Sequence, residues 1–478
     1  MIKMKNYNYI VLIIFFTACL TSCVPTKTVQ HTSTKPAPPL YKIGSDSANI
    51  ATISWKEYFS DKNLISLIDT ALINNYDVLI ALQRIEAASA RVQFSKGMLL
   101  PSVSAGGVAA IRRYGLYTMD GAGNATTDIL PGQIVPVNLP DYFVALQTSW
   151  EADITGKLHS RKKASVARYL SSVEGKNWLI TNLVAEVAST YYELQALDSE
   201  LEIIRENITL QENALSVVTI KKEAMAATEL AVEQFQAQLL NTKSLEAEID
   251  QKIIVIENQI NFLLGRYPQP IMRDRTILTQ TIPSQIQTGV PSDLLRNRPD
   301  IKQAEFELMA AKADVKAARA AFYPSLNITG GLGFQAFQPN LLFTTPQSFV
   351  FSLVGGLSAP LINRSAIKAH FKGASAYQVE SLYNYQKSIL NGYVEVFNQL
   401  NNINSLQRIF ALRNEEVNVL SQAIETSSEL FRTGRATYLE VLLTQQIALN
   451  ARLDFIDVRK RQLLSNVNIY KALGGGWN

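Results

Sequence analysis

Cysteine is nearly missing from this chain. Its two cysteines, Cys19 and Cys23, both fall within the first 23 residues. Nothing after them can be stapled by a disulfide, so the folded body must be held by packing and hydrogen bonding. Histidine is as scarce: His31, His159 and His370 are far apart, with no metal-ligand spacing. No G-x-S-x-G and no Walker A pattern occurs. Gly474, Gly475 and Gly476 lack a preceding strand and a following helix, so they read as a chain-end breaker. The Asp/Glu pairs lie three or four residues apart on helical faces, where solvated pairing is the ordinary outcome. Together these absences argue against catalysis, and no cofactor is implied. A strong charge of one sign is lacking too. The net charge is +4, with 45 Lys and Arg interspersed among 41 Asp and Glu, which reads as solvated faces and gives no nucleic-acid stripe.

Proline is absent from Asp141 to Tyr267 and again after Pro360. Uninterrupted helix can fill both intervals. In the first, apolar residues recur at Leu194, Leu197, Leu201, Ile204, Ile208, Leu215 and Val218, then at Val232, Phe235, Leu239, Ile249, Ile253, Ile256, Ile260 and Leu263. Alternating steps of three and four mark a coiled-coil-like seam. Gln211, Thr242 and Glu246 interrupt it, so a simple dimeric zipper is not expected. Helix from about Gly156 to Lys222 would be roughly 100 Å long at about 1.5 Å per residue. An ordinary compact domain cannot house such a rod.

In chain order, residues 1–22 read as an export signal. Lys3 and Lys5 precede an apolar run from Tyr9 to Ala18, which is short for a transmembrane helix. The ending Leu20-Thr21-Ser22-Cys23 resembles a bacterial lipobox, with Cys23 as the lipid-attachment residue. The competing reading is an ordinary cleaved signal with an incidental cysteine. Residues 23–54 form a Pro/Thr/Ser-rich tether. Trp55 opens a helical region running to about Leu100, ended by Pro101. From 101 to 153 the composition turns to Gly, Ser and alternating apolar residues. Val103, Ala105, Gly107, Ala109 and Ile111 could line one face of a strand, with Phe143 to Trp150 as its partner and a Gly-rich loop from Asp120 to Asn138 between them.

After a proline-punctuated linker at 267–291, the plan repeats. At an offset of 223 residues (324 − 101), Asn74 matches Asn297, Asp77 matches Asp300 and Ala81 matches Ala304. Ala87 and Ala88 match Ala310 and Ala311, Val92 matches Val315, and Pro101-Ser102 matches Pro324-Ser325. Self-similarity at a fixed offset signals duplication. The expected organisation is therefore a first repeat at 55–266, with strands in 101–153, and a second at 292–473, with strands in 323–360. Residues 474–478 form a tail. In the second repeat Leu326, Ile328, Leu332, Phe334 and Ala336 alternate with polar residues, and Phe349 to Leu357 returns. Two short strands per repeat are too few to close a membrane barrel. Three copies would supply twelve and leave no edge exposed to lipid.

At this point the chain resembles the TolC/OprM family of outer-membrane efflux ducts, in its lipid-anchored branch. The resemblance runs from Trp55 to Trp477. It is carried by LIDTALINNYDVLIALQRIEAA (67–88), SWEADITGKLHSRKKA (149–164), VPSDLLRNRPDIKQAE (290–305), GLSAPLINR (356–364), FRTGRATYLEVLLTQ (431–445) and YKALGGGW (470–477). It implies a mostly α protein with membrane β-structure: a homotrimeric duct whose twelve-stranded outer-membrane barrel continues into a long periplasmic α-helical barrel. It also implies a tripartite efflux system of the RND type, in which a periplasmic adaptor (membrane fusion) protein and an inner-membrane pump are the partners. Drugs or other small molecules would pass through unchanged.

The resemblance places the adaptor-docking tip at Gly434, Arg435, Ala436, Thr437, Tyr438, Leu439 and Glu440, with Thr228, Glu229 and Leu230 as its first-half counterpart. From the residues themselves, Gly434 breaks a helix and Thr437 with Glu440 forms a capping box. The first-half turn lacks the Arg-Thr-Gly-Arg pattern, so the two tips are expected to differ. A plain helix–turn–helix remains the simpler account of both. The resemblance also puts a channel gate near Glu425, Glu429 and Leu430, where threefold symmetry would gather like charges. A solvated outer face explains each glutamate singly. The rivals are a duct serving type I secretion or metal-ion efflux, and a periplasm-spanning coiled-coil scaffold lipoprotein. The scaffold does not account for the four alternating segments at duplicated positions.

Overall fold

The computed structural model describes residues 41, 49–274, 276–280, 287–360 and 365–477. The expected signal peptide, Cys23 and the tether to residue 48, Tyr41 excepted, lie outside the described residues, as do linker residues 275 and 281–286 and residues 361–364 of the GLSAPLINR segment. In order, the elements are α1 (Trp55–Tyr58), α2 (Lys62–Asn74), α3 (Tyr76–Gly97), β1 (Ser102–Arg112), α4 (Met119–Asn124), β2 (Asp128–Leu130), β3 (Gln133–Ile134), β4 (Leu139–Ala152), α5 (Lys157–Glu223) and α6 (Glu229–Leu263). The second half has α7 (Asp293–Asn297), α8 (Pro299–Ala320), β5 (Ser325–Ala336), β6 (Phe349–Ser358), α9 (Ser365–Arg432) and α10 (Tyr438–Ala472). Short 3₁₀ turns sit at Ile50–Thr52, Ile277–Thr279 and Pro339–Leu341.

The long helices are real and continuous. α5 has 67 residues and α9 has 68, each roughly 100 Å long. The seam read from the sequence is buried where α5 returns against α6. Leu197, Leu201, Ile204 and Ile208 pack with Leu239 and Ile249 in one cluster. Two of its polar interruptions bond within their own helices: buried Gln211 donates through Nε2 to Asn207 Oδ1 (2.7 Å), its Oε1 finding no partner, and the Thr242 hydroxyl donates to the Gln238 carbonyl (3.0 Å).

The chain divides into two units. One comprises Ala87–Tyr169 and Phe306–Leu382 and holds the four-stranded sheet, in the order β1-β4-β5-β6, all antiparallel. The other comprises the described parts of Ser33–Glu86, Leu170–Glu305 and Tyr383–Asn478. It holds the main core, in which Leu64, Ile68, Tyr191, Leu194, Ile260, Ile277, Ile301, Val467 and Tyr470 are buried.

The helical region expected from Trp55 to Leu100 is broken twice. Asp61 ends the first break by capping α2, accepting from the Asn63 and Leu64 amides. Asn75 is extended between α2 and α3, and its side-chain oxygen accepts from the Asp77 and Val78 amides while its Nδ2 donates to the Leu263 carbonyl (2.9 Å). Asn75 therefore ends α2 and caps α3 at once. The expected loop at 120–138 also has structure: α4, capped by Thr118, and the small hairpin β2–β3 turning at Gly132, whose φ is +79°.

Duplication governs the geometry in detail. α3 and α8 both have 22 residues, starting 223 apart (299 − 76). α6 and α10 both have 35, starting 209 apart (438 − 229). Gly265 and Gly474, also 209 apart, both follow helix ends at positive φ (+66° and +93°). A Cβ on either would meet the carbonyl oxygen of Asn74 (2.4 Å) or Asn297 (2.6 Å), themselves duplicates. Only glycine fits both the conformation and the space.

The duplicate of Asn75 is Arg298, fully buried. Its guanidinium forks onto Asp300 (3.0 and 2.7 Å), and Nη1 donates to Glu395 (2.6 Å) and to the Ala472 carbonyl (2.8 Å), above the Trp178 ring. Asn75 and Arg298 thus bind the last carbonyls of the duplicated helices α6 and α10. Burial disfavours the Arg298 charge, but the Asp300 and Glu395 carboxylates more than offset this and raise its pKa. Removing the arginine would strand those groups. Arg298→Met is expected to cost about 3 kcal/mol in thermal unfolding followed by circular dichroism. Arg298→Lys, which keeps the charge and loses the fork, should fall between.

Candidate channel wall and docking tips

The sheet has one apolar and one polar face, and the register fixes both. Ala105, Leu146, Leu332 and Phe351 form one row across all four strands, and Gly107, Val144, Phe334 and Phe349 form the next. In the single chain these apolar side chains face solvent: Leu146 is 51% exposed, Leu332 50% and Phe351 77%. A soluble sheet would bury that face. On the opposite face run Ser104, Gln147, Gly331 and Ser352, then Ser102, Ser149, Thr329 and Val354. Charges there stand towards the strand ends and are paired, Arg112 with Asp141 (2.9 Å) and Lys157 with Glu151. Tyr142 and Trp150 lie near opposite ends of β4 on the apolar face, roughly 26 Å apart at about 3.3 Å per residue. That is close to the apolar band of an outer-membrane barrel with its aromatic girdles. Strands of 11, 14, 12 and 10 residues suit the same thickness. The outer strands β1 and β6 each pair along one edge only within this sheet. Among the described residues no single helix is long and apolar enough to cross a membrane.

The other feature of interest is the pair of turns between long helices. α9 ends at Arg432, and Gly434 takes φ +76° while the Gly434 and Arg435 amides donate to the Phe431 and Leu430 carbonyls (3.2 and 2.7 Å). Thr437 then caps α10 in a complete capping box: its hydroxyl accepts from the Glu440 amide, and the Glu440 carboxylate accepts from the Thr437 amide (2.6 Å). The first-half turn repeats the backbone of the second and differs from it in capping. The Met225 and Ala226 amides donate to the Lys222 and Lys221 carbonyls (2.9 and 2.7 Å), the same bonds displaced by 209. Met225 takes the place of Gly434 at φ +57°. Backbone geometry is conserved between the turns although the glycine is not. The capping does differ: Thr228 accepts from the Ala231 amide, and Ala231, standing where Glu440 stands, has nothing to return.

The two turns pack together. Val218, Ala231, Phe235 and Val441 are buried in one cluster with Phe431 and Tyr438 at its edge, beside a cavity of about 260 Å³. Lys221 ties the turns, donating to the Phe431 carbonyl (2.6 Å) and lying 4.0 Å from its ring centre. Phe431 opens the segment 431–445 read from the sequence, whereas Lys221 and Met225 were not singled out; the offset of 209 aligning Met225 with Gly434 would have found the latter. Of the anticipated tip residues, Glu229 pairs with Lys222 at the start of α6, and Leu230 and Leu439 are exposed (54% and 48%). Arg435 is exposed, Ala436 and Tyr438 partly so. At the anticipated gate, Glu425 and Glu429 are exposed on α9. Glu429 pairs with Arg432 (2.9 Å), and the Leu430 carbonyl helps close the turn. The single chain brings no acidic cluster together there.

These features coincide with what the comparisons find. The model of the outer membrane efflux protein family matches residues 67–266 and 290–475. The chain belongs to that family. It is 27% identical over 439 residues to the solvent efflux pump outer membrane protein SrpC of Pseudomonas putida, covering 91% of this chain and 90% of that protein. It is 27% identical over 432 residues to the cation efflux system protein CusC of Escherichia coli O6:H1, covering 90% and 89%. The probable outer membrane lipoprotein SilC of Salmonella typhimurium is 26% identical over 464 residues, 96% of each chain. Among solved structures, a membrane protein from Pseudomonas aeruginosa superposes with a TM-score of 0.84 at 25% identity, covering 95% of this chain and 98% of that one. The protein is thus an outer-membrane efflux component with the helical and sheet architecture of that family.

The tip chemistry can be tested directly. Thr437→Ala is expected to lose about 1 kcal/mol of helix-start stability, whereas Met225→Gly should gain roughly 1 kcal/mol by relieving a left-handed non-glycine residue. Amide hydrogen exchange at the two turns reads both. Hydrogen bonds from the Thr437 amide and hydroxyl hold the Glu440 pKa below the ordinary glutamate value. A depressed folded-state value means the capping contribution is complete above the ordinary range and disappears as pH falls through the depressed one. Protection of the α10 start should follow that course, and Glu440→Gln should abolish the dependence.

Proposed function

We propose that three copies of the chain form a duct through the outer membrane, the exit component of a tripartite efflux system of the RND type. The reading is carried by the sheet: one apolar face, one polar face and two unpaired edges. Backbone groups on an edge cannot be left open to lipid, so the sheet must close with others. Twelve strands from three chains do so with the polar face towards the lumen. The tips at Thr228, Glu229 and Leu230 and at Gly434 to Glu440 are the surface that docks a periplasmic adaptor, and through it an inner-membrane pump. Glu425, Glu429 and Leu430, just before the second turn, form the narrowing that opens on engagement. Cys23 carries lipid and holds the mature chain to the membrane; acyl chains contribute about 0.8 kcal/mol per buried CH₂. The duct performs no chemistry, so it is not an enzyme.

Drugs or other small organic molecules are the cargo favoured here, in keeping with the solvent named for SrpC. Metal ions, in keeping with the cation named for CusC, are the second reading, with type I secretion behind it. A scaffold role is disfavoured because it leaves the apolar sheet face without a purpose.

Single-channel conductance in planar bilayers, with the oligomeric mass in detergent measured on the same sample, tests this. Trimers giving small steps that enlarge after Glu425→Ala and Glu429→Ala are expected. Trimers whose steps ignore both substitutions would remove the gate assignment alone. A monomer or dimer that conducts nothing would overturn the duct.

A further inference from the structure

Although the chain as a whole is nearly neutral, its charge is not evenly spread. The three turns of α3, α5, α8 and α9 nearest the four-stranded sheet along the chain are 87–97, 157–167, 310–320 and 365–375. They carry eleven Lys and Arg and a single carboxylate, Asp314. Over the whole chain the corresponding numbers are 45 and 41. Asp314 is neutralised by Arg168. A zone so one-sided repels itself, and pairing among interspersed charges does not describe it.

The bases are also sorted by face. Lys157 pairs with Glu151, which belongs to the polar face of β4. Arg161 and Arg168 follow on the same side of α5 at helical spacing. They line a groove of about 830 Å³ with Asp314 and Ala318 of α8 and His370 and Tyr377 of α9. The groove marks the polar-face side of these helices, which in the proposed duct is the lumen. Lys163 lies half a turn round α5 from it, Lys312 and Lys316 half a turn round α8, and Lys368 and Lys372 half a turn round α9. All five lysines are exposed, none lines the groove, and none has an ionic partner among the described residues.

Between these lysines and the sheet the chain passes through ordered layers. The apolar sheet face ends at Trp150, whose indole donates to the Leu99 carbonyl (3.0 Å). Next in the chain come Leu100 and its duplicate Tyr323, 67% and 43% exposed. The lysines follow within a short distance. Lys312, the farthest, is eight residues from the end of α8, roughly 12 Å at about 1.5 Å per residue. An apolar band, then aromatic and apolar side chains, then long basic ones is the layering of a membrane interface, and lysine stems can reach back towards it.

We infer that Lys163, Lys312, Lys316, Lys368 and Lys372 form a collar that binds the acidic headgroups of phospholipids in the leaflet next to the helices. This rests on the membrane-barrel reading and adds the class of lipid the barrel prefers. Charge complementarity and continuity with the apolar band select this occupant. A small soluble anion needs donors that converge on one point, whereas these five are spread over three helices and lie outside the groove. A surface of many headgroups meets all of them at once. Each base near an acidic surface strengthens binding up to about fivefold, an effect that fades over a Debye length of about 8 Å at physiological salt.

The test uses the purified full-length protein in mixed vesicles of phosphatidylcholine and phosphatidylglycerol, each brominated in its acyl chains in turn. Quenching of Trp150 fluorescence then compares the two lipids at the sheet, and Trp150→Phe supplies the background. Phosphatidylglycerol should be preferred about fivefold at low salt, and the preference should shrink at about 1 M salt. Lys163→Gln, Lys312→Gln, Lys316→Gln, Lys368→Gln and Lys372→Gln together should bring it close to parity, with mass in detergent unchanged. Should that variant fold poorly, Lys312→Gln with Lys316→Gln and Lys368→Gln with Lys372→Gln should each remove part of it. Arg161→Gln with His370→Gln, on the groove side, should leave it intact. Equal quenching by both lipids overturns the collar and leaves the membrane reading standing. So does a preference that survives loss of the lysines or follows the groove residues. No quenching of Trp150 by either lipid overturns the membrane reading itself.

Discussion

A hydrogen-bond donor or acceptor exposed to hydrocarbon has no partner, and everything distinctive about this chain follows from avoiding that. β1 and β6 each leave one edge open in a sheet whose apolar face has no protein to cover it. Four strands with exposed Leu146, Leu332 and Phe351 make little sense in water and cannot close in lipid alone. The long helices follow on, because a sheet held in one layer must be connected to whatever lies beyond it. Helix satisfies its own backbone along its length, so it is the economical way to extend roughly 100 Å.

Much of this was legible in the sequence, for physical reasons that differ by element. The seam along α5 and α6 was visible because burial on one side of a long helix forces a period on the apolar residues, and Leu201, Ile204 and Ile208 keep it. The capping box at Thr437 was visible because it is a local pair of side chains whose partners are backbone groups three residues away. What escaped was backbone conformation that side chains do not announce. Met225 adopts a left-handed conformation because the surrounding turn requires it, and nothing in a methionine advertises the fact. The break at Asn75 was hidden by the continuous apolar pattern on either side, and the β2–β3 hairpin by its glycine-rich composition. Neither the polar partners of Arg298 nor its burial could be read, since they come from Asp300, Glu395 and the end of α10.

The duplicated halves show which properties of a site are geometric and which are chemical. Gly265 and Gly474 are the same residue because a Cβ has nowhere to go in either place. Asn75 and Arg298 are different residues doing one task, donating to the last carbonyl of α6 or α10. Where space is limiting the two halves agree, and where a donor is all that is needed they have drifted. The tips follow the same division. Both turns keep the backbone bonds, while only the second keeps a returning carboxylate, so α10 begins more firmly than α6.

The polar face of the sheet carries a further consequence. Between its ends it carries hydroxyls, amides and glycine backbone, from Ser104 and Gln147 to Thr329 and Ser352, interspersed with apolar Val108, Phe143, Ala145, Val350 and Val354, and the charges at the ends are neutralised in pairs. In the proposed duct, where this face lines the lumen, a solute meets no unpaired charge along it, and hydrogen-bonding groups that exchange readily for water. It is neither held nor turned back according to its sign. In that duct, discrimination among cargoes by charge falls to whatever precedes this surface, and the wall can stay unchanged while what is sent through it varies.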